Sequence, residues 1–148
     1  MPDPGLHALT SLRRMRRAET DGASRVLGDA LAQETALAAR NEAIGRELDD
    51  ARHVSGDFDR EAFSAWWERM REERARLADA QGAARARTAA AQAVLANRRV
   101  AETAAEDALA REVASREAAL ARHEQAVLED VARALKASQD RKRVDEFA

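Results

Sequence analysis

Imidazole binds metals and moves protons near neutral pH, so the three histidines are the first candidates for chemistry. They are His7, His53 and His123, and by pattern they fall in a leading segment, a turn and a helix. No known ligand spacing joins them into a metal site. The chain has no cysteine, which removes disulfides and thiolate metal sites. No nucleophile–base pairing, Gly-rich phosphate loop or His-Glu-x-x-His segment occurs. Carboxylates are abundant, but a helical rod offers no water-excluded pocket in which to shift their titration. The expectation is a non-enzymatic protein with no catalytic residue, no metal and no cofactor.

Binding groups are easier to find. Arg13-Arg14-Met15-Arg16-Arg17 is a local basic run. It reads as a solvated helix face or as a contact for an acidic protein surface. Nucleic acid is not expected, because Glu19 and Asp21 follow closely and the net charge is −2. Trp66 and Trp67 are the only tryptophans, near Phe58, Phe63 and Met70. They read as a plug at the end of a seam or as an interface anchor. Adjacent helical residues point about 100° apart, so both rings cannot enter one narrow seam.

The elements that must position these groups are helices. Of the 148 residues, 45% are hydrophobic and 35% charged, while aromatics are only 3%. Alanine supplies most of the apolar share, which suits a narrow coiled-coil seam rather than a deep core. Both prolines, Pro2 and Pro4, precede the first helical pattern. Met1 to Gly5 is read as a flexible start. The first helix is expected over about 6–52, with a heptad ladder at Leu9, Arg16, Ala23, Ala30, Leu37, Ile44 and Ala51. Val26 and Leu27 join its apolar positions. Gly22, Gly28 and Gly45 each weaken it by about 1 kcal/mol relative to Ala, and Gly28 offers a smooth side for a close partner helix. A turn over 53–59 contains Ser55, Gly56 and Asp57, with Gly56 suited to a left-handed conformation. Asp59 is the expected N-cap, with Phe58 and Phe63 as a hydrophobic staple. The second helix is expected over about 60–144, and Gly82 is a candidate break.

The fold class predicted is therefore all-α: one domain over 1–148, an antiparallel coiled-coil hairpin with the second helix longer. At 1.5 Å per residue the helices span about 70 Å and about 125 Å. The first helix is expected to reach about residue 100 of the second. Beyond it Leu109, Val113, Leu120, Val127, Val131 and Leu135 form an apolar stripe without a partner in the chain. Such a stripe is a binding face or a dimer seam. No signal peptide is visible, and no apolar run approaches the about 20 residues that span a bilayer. The reading is a soluble cytoplasmic protein with no direct membrane insertion.

Three segments carry a resemblance to a family. Leu9-x-x-Leu12 is followed by Ala23-Ser24-Arg25-Val26-Leu27-Gly28-Asp29. Trp67-Glu68-Arg69-Met70 opens the second helix, and Arg143-Val144-Asp145-Glu146-Phe147-Ala148 ends the chain. In these segments and in layout the chain resembles the FliJ family of flagellar export coiled-coil proteins, related to the YscO-like stalks of injectisomes. The resemblance implies a stalk that enters the pore of the hexameric flagellar export ATPase and promotes its assembly and activity. It also implies links to the export gate protein FlhA and binding of export chaperones. The location implied is the cytoplasm, peripheral to the inner-membrane export apparatus. Carried over by position, Leu9, Leu12, Arg13, Asp145, Glu146 and Phe147 lie at the ATPase ring end. Trp67, Met70, Leu77 and Gln81 lie on the face toward the export gate. Alternatives from other classes are an escort for export chaperones, an injectisome stalk, and a structural coiled coil that self-associates in isolation.

Overall fold

The computed structural model describes residues 3–54, 56 and 59–148. Expectations for Pro2, Ser55, Asp57 and Phe58, including the Phe58 half of the staple, lie outside the described residues. Two helices account for the described fold: α1, Pro4–Arg52, and α2, Arg60–Glu146. They form an all-α hairpin with the second helix longer, 49 residues against 87. Among the described residues there is no strand.

Each helix starts where a carboxylate can satisfy its free N–H groups. Asp59 Oδ1 accepts from the Glu61 and Ala62 N–H at 3.0 and 3.3 Å, as expected of an N-cap. Asp3 does the same for α1, its Oδ1 accepting from the Gly5 N–H at 2.8 Å. Pro4, whose fixed φ suits the first helical position, follows that cap directly. The helix therefore begins at Pro4, and the segment read as a flexible start is already ordered by Gly5. The turn opens with the His53 N–H donating to Asp50 C=O at 3.1 Å. No glycine among the described residues has a positive φ, so the left-handed turn expected at Gly56 is not found. Nor does α2 break at Gly82.

The chain divides into two units, one made of 15–102 and the other of 1–14 with 103–148. In the first, the α1 ladder holds: Ala23 and Ile44 are buried, and Arg16, Ala30, Leu37 and Ala51 are half-buried. A second set four residues on, at 20, 27, 34, 41 and 48, is also shielded and ends in buried Leu48. Val26 falls one position outside this set and is exposed, contrary to its expected place in the stripe. From α2 come Ala84, Thr88, Ala91 and Leu95, all buried at alternating spacings of four and three. That is the coiled-coil period. Ile44 is fully buried, and shielding such a side chain stabilises by about 1.5–3 kcal/mol.

Polar contacts across this unit run antiparallel. Glu19 meets Arg98 at 3.4 Å, and Glu34 meets Arg85 at 3.7 Å. Asn41 donates to Gln81 Oε1 at 3.3 Å. Thr88 satisfies its buried hydroxyl by donating to Ala84 C=O at 3.1 Å. Gly28 is exposed, and a Cβ there would meet nothing within 4 Å, so no helix approaches it. The close approach occurs at buried Gly45 instead, where a Cβ would lie 3.5 Å from the Arg74 guanidinium.

In the other unit, Ala105 is buried and Leu109, Glu112 and Arg116 are half-buried. Leu6, Leu9, Thr10 and Leu12 of α1 are half-buried too. Asp3 pairs with Arg116, which sets the beginning of α1 against α2. From 117 to 148 every residue is exposed. Pairing thus extends to Arg116 rather than to about residue 100. Two helices of equal rise pair residue for residue, and α1 contributes its whole length from Pro4.

Candidate partner-binding surfaces

Three surfaces hold the residues singled out from the sequence. The first lies beside the turn. Phe63, Trp66 and Trp67 cluster with ring centroids 5.7 to 6.3 Å apart. Both tryptophans are half-buried, so neither plugs the seam completely and each keeps an accessible edge. The Arg52 guanidinium lies 5.5 Å from a Trp67 ring centroid, within cation–π range. Leu48, Arg52, Trp67, Arg71 and Arg74 line an open groove there. Met70 and Leu77 are half-buried on the same helix face, and Gln81 is engaged by Asn41. These four positions expected to face an export gate therefore belong largely to the seam and its rim. Arg52 was missed; its place in the last turn of α1, one turn of chain from Trp67, was the available signal.

The second surface is the expected ring end. Leu9 and Leu12 are half-buried, and exposed Arg13 shares a shallow groove with Glu106, Leu109, Val113 and Glu117. Asp145, Glu146 and Phe147 do not join them. Phe147 is 91% exposed. The tip of α2 lies 30 residues beyond Arg116, which at 1.5 Å per residue is about 45 Å farther along the helix. The start of α1 and the tip of α2 are thus separated along α2.

The third surface is the free arm of α2. Leu120 is 62% exposed, and Val127, Val131 and Leu135 are exposed with it. Leu128 and Val144 add exposed apolar surface that the expected stripe omitted. Leu109 is the correction: it is half-buried within the paired part, and Val113 sits at the edge of cover. The unpaired stripe therefore begins at Leu120. In an ideal helix Leu109, Arg116, Leu120, Val127 and Val131 fall within an arc of about 60°. The exposed stripe thus continues the face that is covered farther back.

Electrostatics concentrate where α1 begins. Arg116 donates to Asp3 and also to Glu112 Oε1, the latter at 2.7 Å. The Arg116 guanidinium, with the Gly5 N–H, holds the Asp3 carboxyl below the usual carboxylate range. The same pairing raises the Arg116 titration, with Glu112 contributing. The Asp3-Pro4 pair was legible as a cap, but its link to Arg116 spans 113 positions and had no local signal.

His7, His53 and His123 are all exposed. Among the described residues no group of three or more His, Cys, Asp or Glu is placed to hold a metal ion. Among them, too, no helix is long and apolar enough to cross a membrane. Open grooves lined by arginine, alanine and apolar edges suit protein contact rather than enclosure of a small substrate. No protein-family model, curated protein or solved structure matches this chain.

Proposed function

We propose that this chain is a non-enzymatic stalk of the bacterial flagellar type III export apparatus. In this reading it enters the pore of the hexameric export ATPase, promotes ring assembly and turnover, and links the ring to the export gate protein FlhA. The observation that carries the reading is the arm of α2 beyond Arg116, wholly exposed, with Leu120, Val127, Val131 and Leu135 bare along one face. A monomeric protein rarely leaves such a face uncovered. Which partner covers it is argued from the resemblance of the three segments to the FliJ family, above all the Arg143-to-Ala148 ending. A single helical arm cannot meet six equivalent subunits equally. It therefore favours some subunits over others and couples their ATP turnover to its orientation. The chain itself supplies binding surface and no catalytic group.

The test is to mix the chain with the cognate ATPase and measure hexamer formation and turnover. Both are expected to rise, and to fall back when residues 144–148 are removed. No change in either on mixing sinks the stalk reading.

The Leu120-to-Leu135 stripe favours a second reading, an escort that binds export chaperones. Leu120→Glu with Val127→Glu separates the two. Loss of chaperone binding with ATPase stimulation intact favours the escort, and loss of stimulation favours the stalk.

A further inference from the structure

We infer that the free arm of α2 pairs antiparallel with the same arm of a second copy of this chain. The inference stands apart from the export reading, because it requires only this protein.

Three observations identify the occupant. The first is continuity: the exposed stripe prolongs the face whose earlier part, Ala105 and Leu109, is shielded by α1. A helix seated on the stripe would extend an existing seam. The second is charge. From 117 to 130 the arm carries Glu117, Glu124, Glu129 and Asp130 against Arg122. From 131 to 146 it carries Arg133, Lys136, Arg141, Lys142 and Arg143 against Asp140, Asp145 and Glu146, so its positive excess lies between 133 and 143. A parallel pair would set like halves together. An antiparallel pair sets the acidic half of each copy on the basic half of the other, and opposes the helix dipoles as well.

The third is length. The uncovered stretch runs from 117 to the helix end at Glu146, and Val131 is its midpoint. A twofold axis at Val131 uses the arm fully. Val127 then lies level with Leu135 of the other copy, and Val131 with its own counterpart. Glu129 lies level with Arg133 and Arg122 with Asp140, while Glu117 and Asp145 meet as like charges at each end of the overlap. Glu146 at the tip lies level with Arg116, where α1 of the other copy begins its cover. The overlap ends where the internal seam starts, so the second copy displaces nothing.

Only the central layers are fully apolar, so the pairing is reversible and depends on concentration. Sedimentation equilibrium of the full chain from about 1 to about 500 µM is expected to show monomer passing to dimer. Raising salt from about 50 to about 500 mM is expected to weaken it several-fold, because the charges are exposed. Val131→Glu sets two carboxylates against each other on the axis and weakens dimerisation at least about tenfold. Orientation is read by introducing single cysteines, since the chain has none. Val131→Cys is expected to oxidise to a covalent dimer. Leu120→Cys is not, because the two copies of residue 120 lie about 33 Å apart in this register, far beyond disulfide reach. A chain that stays monomeric at every concentration overturns the inference. So does a dimer indifferent to Val131→Glu, or one that Leu120→Cys crosslinks as readily as Val131→Cys.

Discussion

Two stretches of α2 have the same helical state and each sets apolar residues along one face, yet their surroundings are opposite. Between Ala84 and Ala105 the inward face is Ala84, Thr88, Ala91, Leu95 and Ala105, all buried. Between Leu120 and Leu135 the same face carries larger side chains, Leu120, Val127, Val131 and Leu135, and all are exposed. The covered stretch has the smaller residues. Small side chains let α1 approach closely, so modest apolar area is wholly removed from water. The exposed stretch holds more apolar surface but has no α1 beside it. Cover is decided by where α1 begins, at the Asp3 cap opposite Arg116, and not by how apolar the face is.

The comparison can be broken first at its best-covered side chain. Ile44→Ala is expected to destabilise the hairpin by about 2–4 kcal/mol, read by urea unfolding. A change below about 1 kcal/mol would mean the seam is not packed as described. Ala84→Leu tests whether small residues set the approach. With Ala84 only 2% exposed, overpacking is expected to cost about 1–3 kcal/mol, and an equal or higher unfolding midpoint would contradict a tight seam. Gly28→Ala probes the outer side of α1. Nothing lies within 4 Å of its Cβ position, so the helix is expected to gain about 0.5–1 kcal/mol. A loss there would reveal a contact.

Smaller effects sharpen the contrast. Deleting residues 118–148 at dilute concentration is expected to change the remaining hairpin by less than about 0.5 kcal/mol, because every residue there is exposed and the ion pairs of Arg133 with Glu129 and Asp130 lie within the deleted arm. A larger fall in thermal midpoint would show that the arm contributes to the fold. The smallest effect is local and depends on pH. The Asp3 carboxyl titrates below its unfolded value because Arg116 and the Gly5 N–H stabilise its charged form. Its contribution is therefore present above the ordinary carboxylate range and is lost as pH falls through the lowered value. Amide exchange at Gly5 and Leu6 should speed up only under strong acid, and faster in Asp3→Asn at neutral pH. Equal exchange in Asp3→Asn and the parent chain would show that the cap does not hold the first turn.

Much of the fold could be read before any coordinates. The ladder at Leu9, Ala23, Leu37 and Ile44 declared a helix with one inward face, and Asp59 declared where α2 starts. Both are local: a heptad is a period along one chain, and a cap reaches only two or three residues. Asp3-Pro4 was equally local and was passed over, which moved the start of α1 by two residues. The place of Val26 was less legible, because spacings of three and four are both compatible with a seam until the partner helix chooses one.

By itself, then, the order of residues determined that two long helices form, that α1 stops at Arg52 and α2 starts at Arg60, and that α2 outlasts α1. These follow from propensity, period and the count of residues. Tertiary structure alone decided that cover ends at Arg116, that Leu109 is sheltered while Leu120 is not, and that Arg52 and Arg74 settle on Trp67 and Gly45. Each of these depends on a group brought close from far along the chain, where a shift of one residue in pairing turns a buried side chain toward water.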